Sequence, residues 1–425
     1  NIINIGQKIV MNENDALKLI MNSALKAALP EDKFKNLPTK PKGKLLVIGA
    51  GKAAASMAKA FEESYDGPLE GMVITRYGHS TKTKFIEVIE ASHPEPDDIG
   101  LSATKKLFEL AKKSDVNDHV VFLISGGASS LLTLPADGIN FAEKQRINKE
   151  LLISGAPIDK MNIVRRAFSK IKGGRLAEVI YPAKLTTYMI SDIPGDDPSY
   201  IGSGPTIQAS GSNNDALKIL NDYKIYINEN LKEVIIKNQL PKILNSPTYM
   251  IASPMKALKS AYNQAEKLGF KPLIISDSLE GESRLEGKKM AELAIKIKKE
   301  KRFENIPLKK PILLLSGGET TVTVKGNGKG GRNTEFMLSM AIHLNEANGI
   351  TALSVDTDGI DGVEDNAGAF ISDLTLKKAK SKNLEPQKFL NNNDSYSFFE
   401  KIDDLIFTKP TLTNVNDFRA VLIQP

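Results

Sequence analysis

Leu45-Leu46-Val47-Ile48-Gly49-Ala50-Gly51-Lys52-Ala53-Ala54 is the stretch from which the architecture can be read. Four apolar residues in a row, two of them β-branched, read as a short buried strand. Gly49-Ala50-Gly51 then lets the backbone turn tightly, and the small residues from Ala53 onward open a helix. A strand, a glycine turn and a helix in that order aim backbone N–H groups at an anion. Lys52 adds a bare ammonium inside the same loop, which suits a phosphoryl group or a carboxylate. The run nearly fits a dinucleotide-binding fingerprint, with Ala54 where a third glycine would stand. Against that reading, the next strand ends in Thr75-Arg76 and offers no clear acid for a ribose.

Working outward, the same rhythm recurs. Met72–Thr75 and Phe85–Ile89 read as strands, Gly100–Lys112 as a helix, His119–Ile124 as a strand and Leu185–Ile190 as another. Apolar strands alternating with helices predict a parallel sheet with helices on both faces. A second cycle runs from Thr248, with strands predicted at Thr248–Ile251, Pro272–Ile275, Pro311–Leu315 and Ile350–Val355. The Asn-, Gln-, Pro- and Ser-rich stretch 238–247 is the expected domain boundary. Asn14–Leu29 carries apolar residues at helical spacing and predicts an amphipathic N-terminal helix.

Composition narrows the class. The 425 residues are 41% hydrophobic and 25% charged, with no Cys and no Trp. Those values fit a globular protein and exclude disordered, fibrous and disulfide-stapled chains. Without Cys, thiolate catalysis, zinc–cysteine sites and iron–sulfur clusters are excluded too. The net charge of +6 is small for this length, and the Lys-rich runs alternate with apolar or acidic residues. They read as solvated helix faces, so no nucleic-acid partner is expected. No apolar run reaches the about 18 residues of a membrane span, and no signal-peptide pattern is visible, so no membrane partner and a cytoplasmic location are expected. Only nine basic residues are Arg, which makes Arg175 and Arg332, each beside paired glycines, worth explaining.

Four further strand-terminal segments carry candidate chemistry. Ser125-Gly126-Gly127-Ala128-Ser129-Ser130 offers successive backbone N–H groups and hydroxyls to an anion. Asp192, in Ser191-Asp192-Ile193-Pro194-Gly195-Asp196-Asp197-Pro198, stands where α/β sheets bind ligands and suits Mg²⁺ or a substrate hydroxyl. Asp196 and Asp197 read as turn residues. Ser316-Gly317-Gly318-Glu319 repeats the strand–Ser-Gly-Gly pattern, and Gly326–Gly331 opens onto a helix that begins with Arg332 and Asn333. Asp356-Thr357-Asp358-Gly359-Ile360-Asp361 looks at first like a calcium loop, but its twelfth position is Ala367, so its carboxylates suit Mg²⁺ or ligand hydroxyls. The four His show no placement for a general base. These features point to a cleft between two domains that binds a small phosphate-bearing or carboxylate ligand, and they do not choose between phosphoryl and hydride transfer.

Taken in order, Gly49–Ala53, Ser125–Ser130, Lys172-Gly173-Gly174-Arg175-Leu176-Ala177, Ser191–Pro198, Gly202–Thr206, Ser316–Thr321, Gly330–Glu335 and Thr357–Gly362 resemble the glycerate 2-kinases that carry a C-terminal MOFRL domain. The resemblance runs from about residue 15 to the C-terminus. It implies two α/β domains: a Rossmann-like parallel-sheet domain over 1–245, and a smaller MOFRL-type domain with a mixed sheet over 246–425, with the active site in the cleft between them. It also implies phosphorylation of D-glycerate at the 2-hydroxyl, with ATP and Mg²⁺, to give 2-phosphoglycerate in non-phosphorylative sugar breakdown. A homo-oligomer is an open expectation. Members have also been labelled hydroxypyruvate reductases, so an NAD(P)H-dependent reductase is the alternative.

Carried onto matching positions, the family's Lys and Arg are Lys52 and Arg332, with Asp192 as the third catalytic candidate. Gly49, Gly51, Ser125, Gly126, Gly127, Ser129, Ser316, Gly317, Gly318 and Asn333 are the expected binding residues, and Asp192, Glu319 and Asp356 the expected metal ligands. Thr334 stands where the family usually has Gln.

Overall fold

The computed structural model describes residues 12–345 and 347–425. Its first sheet holds β1 (Leu45–Ala50), β2 (Glu70–Arg76), β3 (Ile86–Ala91), β4 (His119–Ile124), β5 (Lys184–Ile190) and β6 (Thr248–Ala252). All pairings are parallel, in the order β3-β2-β1-β4-β5-β6. β1 and β4 are buried along their whole length, as their continuous apolar runs require when helices cover both faces. Helices Ala54–Ser64 and Asp98–Lys112 provide crossovers. The chain moves outward from β1 to β3 and then restarts on the other side of β1 with β4, so strand order reverses between β1 and β4. In such sheets ligands bind at that switch point, beyond the carboxyl ends of the strands. Helices Phe141–Ile153, Ile158–Ala167, Asn213–Asp222 and Glu229–Lys237 share a separate apolar cluster built from residues such as Leu151, Val164, Phe168 and Leu220.

The second sheet is mixed. It comprises β7 (Lys271–Ser276), β10 (Ile312–Ser316), β11 (Ile350–Asp356), β12 (Gly368–Ile371), β13 (Leu405–Ile406) and β14 (Asp417–Ile423), while β8 (Arg302–Phe303) and β9 (Ile306–Pro307) form a small ribbon. The order is β13-β12-β11-β14-β10-β7, and only β7 and β10 run parallel. Helices Ser283–Glu300 and Arg332–Leu344 bury Met290, Ile297, Phe336 and Met340 against Leu314 and Ile350. The expected pairing of a parallel-sheet unit with a mixed-sheet unit is what the structure shows.

The bounds of the units differ from 1–245 and 246–425. One unit takes Pro30–Ser253 with Leu412–Asn414; the other takes the helix Glu13–Ala28 with Pro254–Thr411 and Val415–Pro425. The strand expected at Thr248–Ile251 to open the second cycle spans Thr248–Ala252 and pairs as edge strand β6 with β5, Thr187 opposite Thr248. The polar stretch 238–247 is therefore a loop leading into an edge strand. The N-terminal helix buries Leu17, Ile20, Ala24 and Ala28, and its Ser23 hydroxyl pairs with that of Ser260 at 2.8 Å. Glu13 Oε1 accepts from Gln424 Nε2 at 2.9 Å, which ties its first turn to the residue that follows β14. Among the described residues no helix is long and apolar enough to cross a membrane.

Candidate active site

In the parallel-sheet unit, the register Ala50 opposite Ile124 brings the loop after β1 beside the loop after β4. The contact is too close for side chains. A Cβ on Gly49 would lie 2.2 Å from the Leu123 carbonyl, and one on Gly51, whose φ is +136°, would lie 2.1 Å from Ser125 Oγ. The two loops are stitched together: Lys52 N–H donates to the Gly126 carbonyl (2.8 Å) and Ala53 N–H to Ser125 Oγ (3.0 Å). Ser125 is thus first a brace between loops. The Lys52 carbonyl accepts from Thr75 Oγ1 (3.3 Å) and lies 3.2 Å from His79 Nδ1, which fixes the backbone under the ammonium.

Asp192 follows β5 and lies directly against Gly126, where a Cβ would fall 1.7 Å from Asp192 Oδ2. Gly127, with φ at +82°, has the stem of Lys52 and the ring of His93 on the same side, 3.1 and 3.0 Å from where its Cβ would stand. Burial first, and then the charges of Lys52, Arg76 and His79, push the His93 imidazole down to about 4. It is therefore neutral at pH 7. The structure thus gathers Gly49, Gly51, Lys52, Ser125, Gly126, Gly127 and Asp192 at the switch point. Ser129 lies one turn further, its hydroxyl 3.2 Å from that of Ser203 and its carbonyl accepting from Lys172 Nζ at 2.8 Å.

In the mixed-sheet unit, Arg332 opens the helix Arg332–Leu344. Each edge of its guanidinium meets a carboxylate: Nε donates to Asp417 Oδ1 (2.9 Å), Nη2 to Asp356 Oδ2 (2.5 Å), and Nη1 lies 2.9 Å from Glu319 Oε1. Burial alone would lower this guanidinium, but Asp417, Asp356 and Glu319 outweigh it and hold its pKa far above the ordinary value. Asp417 in turn accepts from Arg419 Nη2 (2.5 Å), whose Nη1 donates to the Gly317 carbonyl (3.0 Å). Asn333 N–H and Thr334 N–H both donate to Asp361, at 2.8 Å each, and Asn333 Nδ2 reaches Asp417 Oδ1 at 2.9 Å. Thr334, at the family's Gln position, also bonds Asp361 through its hydroxyl (2.8 Å). Burial, then Asp358, raise the Asp356 carboxyl well above the usual range even though Arg332 pulls it down. Gly318 has φ at +90°, and a Cβ there would lie 2.1 Å from Leu279 N, while the Ser316 hydroxyl is buried without a hydrogen-bond partner among the described residues.

Two expectations change. Arg332 was expected as an open fork for a ligand anion, and instead it is the hub of an acidic cluster. Of the three expected metal ligands, two already have a cationic partner. Glu319 and Asp356 are engaged by Arg332, Asp192 belongs to the other unit, and among the described residues no group of three or more His, Asp or Glu is placed to hold a metal. Asp417 and Arg419 were not among the expected site residues. Their signal was two charged residues at the head of Asp417-Phe418-Arg419-Ala420-Val421-Leu422-Ile423, a strand buried throughout. Arg175 is structural: it donates to the carbonyls of Arg166, Lys172 and Asn238.

A doubly wound parallel sheet with a lysine and glycine loops at its switch point, joined to a mixed-sheet unit, defines a two-unit α/β enzyme. Residues 16–236 match the Domain of unknown function DUF4147, and residues 312–417 match the MOFRL family. A D-glycerate 2-kinase of Thermotoga maritima is 40% identical, over 95% of this chain and 97% of its own. An Agrobacterium vitis protein provisionally named hydroxypyruvate reductase is 44% identical, over 97% of this chain and 95% of its own. The crystal structure of a glycerate kinase from Thermotoga maritima matches with a TM-score of 0.88 at 39% identity, covering 96% of this chain and 99% of that one. The chain belongs to the glycerate kinase family that joins these two domains.

Proposed function

We propose that the protein phosphorylates D-glycerate at its 2-hydroxyl, with MgATP as the phosphoryl donor, giving 2-phosphoglycerate and ADP. The observation that carries this reading is the switch-point group of the parallel-sheet unit. There Lys52, in no ion pair among the described residues, stands beside a glycine cradle and the Asp192 carboxylate. Phosphoryl transfer asks a protein chiefly for positioning and charge neutralisation. The acceptor oxygen bonds to the γ-phosphorus as the bond from that phosphorus to the bridging oxygen of ADP breaks. Lys52 neutralises charge on the transferring oxygens, and Asp192 orients the acceptor hydroxyl and receives its proton. The divalent cation enters as part of the nucleotide substrate.

Arg332 is assigned to the same reaction through one face only. Asp417 and Asp356 are buried partners, whereas the Glu319 side chain is 51% exposed. The Nη1 edge is therefore the one that a substrate anion takes over from Glu319.

The test is a coupled ADP-release assay with D-glycerate, with the product identified as 2- or 3-phosphoglycerate. Lys52→Ala is expected to lower turnover by about 100-fold or more, as loss of one electrostatic contact to a transition state does. Near-normal turnover in the folded variant would overturn the role of Lys52. Oxidation of NADH with hydroxypyruvate, and no ADP release, would replace the kinase reading with a reductase.

A further inference from the structure

The parallel-sheet unit contains a cavity of about 200 Å³ whose walls include Gly127 and His93 of the group just described. Three cations reach it: Lys144, Arg165 and Lys172. Lys172 is 1% exposed, and among the described residues its Nζ donates only to main-chain carbonyls, those of Ser129 (2.8 Å) and Gly202 (3.5 Å). Lys144 Nζ lies 3.3 Å from Thr133 Oγ1, and Arg165 Nε donates to Asn148 Oδ1 at 2.9 Å. None of the three forms an ion pair with a carboxylate among the described residues, because the neighbouring acids are claimed elsewhere. Arg146 holds Glu143 (2.6 Å) and Glu150 (2.7 Å), and Lys170 holds Asp137 (2.7 Å).

Other charged or titratable groups near the cavity include Arg166, which donates to the Ser199 carbonyl, His93, already neutral, and Lys52, whose stem lies against Gly127; Arg76 and His79 also act on His93. Uncompensated buried charge is costly unless a partner arrives. Burial, with the neighbouring cations adding to it, pushes the Lys172 ammonium well below its usual range and Lys144 down to about 7.

We propose that this cavity is an anion subsite that receives the carboxylate of a small hydroxy acid, with Lys144, Arg165 and Lys172 supplying its countercharge. It rests on the glycerate reading for the identity of that acid. Roughly 300–1,000 Å³ is usual for larger, drug-sized ligands, so the room here suits an acid of a few heavy atoms. Leu151, Val164 and Phe168 close the cavity with apolar surface, which strengthens each charge–charge attraction inside it. Gly127 belongs both to the cavity wall and to the contact with the Lys52 stem, so an acid anchored here has the Lys52 group as its neighbour.

The same anion chemistry also fits inorganic phosphate acting as a separate ligand, and the test distinguishes the two. Binding of D-glycerate to the full chain is measured by calorimetry at pH 8 in two buffers of different protonation enthalpy. Wild type is expected to bind with proton uptake, because an anion restores the charge on Lys144 and Lys172. Lys144→Met and Arg165→Gln are each expected to weaken D-glycerate by tenfold or more, with KM for ATP changed less than twofold and melting temperature retained. Lys144→Met also loses much of the proton uptake, and Lys144→Arg restores affinity without it.

Wild-type affinity for D-glycerate in both folded variants overturns the proposal. If wild type neither binds nor phosphorylates D-glycerate, yet binds inorganic phosphate and loses it in both variants, the glycerate reading fails and the anion subsite stands. If neither anion binds wild type, the subsite is overturned as well.

Discussion

Gly126 separates positioning from stability at the level of one residue. A Cβ there would enter the space of the Asp192 carboxylate, the movable end of a side chain, while the backbone of the loop need not shift. Gly126→Ala is therefore expected to leave the melting temperature within a few degrees and to lower kcat by about tenfold or more, because roughly 1 Å of displacement is enough to spoil reacting geometry. A variant with unchanged kcat would remove Asp192 from the chemistry. Arg332 behaves in the opposite way. Removing its guanidinium takes from Asp356, whose side chain is 3% exposed, its cationic partner, and leaves the fully buried Asp417 to Arg419 and Asn333. Breaking a buried ion pair from one side costs about 3–5 kcal/mol. Urea unfolding of Arg332→Ala should show a loss of that order, so its lost activity is not by itself a sign of catalysis. Were the variant as stable as wild type, the hub described above would have no structural weight.

Elements show what the sequence could and could not reveal. The N-terminal helix was legible as a helix, since Leu17, Ile20, Met21 and Ala24 repeat at its spacing, but nothing in that pattern says which sheet it covers. In the structure it belongs with the mixed-sheet unit. Ile20→Ala is expected to cost about 2–5 kcal/mol, whereas the neighbouring Leu19→Ala, at a position 40% exposed, should stay within about 0.5 kcal/mol. Equal effects in chemical denaturation would contradict that packing. The strand-terminal loops were legible for a different reason: paired glycines after an apolar run mark close backbone approach, as Gly49 and Gly51 confirm. β6 was seen as a strand and placed in the wrong sheet, because a short edge strand carries no mark of its partner. The Arg332 hub was half visible. Its partners Asp356 and Glu319 lay in quoted motifs, but Asp417 comes from a strand 85 residues away, and its pairing exists only once β14 inserts between β10 and β11. The cationic cavity was the least legible, since Lys144, Arg165 and Lys172 lie on separate segments that only folding assembles.

Across the whole molecule, pH reports how burial is distributed. The His93 imidazole is pushed down to about 4 by burial and by Lys52, and burial lowers His119 too, with its Nε2 2.8 Å from Thr186 Oγ1. Both therefore favour the neutral form in the folded chain, while the unfolded chain takes up protons near the ordinary histidine value of about 6.5. The unfolded state then binds more protons than the folded one between pH 6.5 and about 4, so the contribution of His93 is fully present above 6.5 and is lost as pH falls through that window. Burial raises the carboxyls of Asp361 and Asp404, and their contribution runs the other way, growing as they take up protons at lower pH. The total curve mixes the two signs, but a difference between proteins isolates one residue. Melting temperatures of wild type and His93→Gln, taken from pH 7 to pH 4.5, should converge as the pH falls, because His119 titrates in both and only wild type also takes up a proton at position 93 on unfolding. Curves that stay parallel across that range would mean that His93 titrates in the folded protein as it does in water. The cavity wall it forms would then be far wetter than its packing against Gly127 and Lys52 implies.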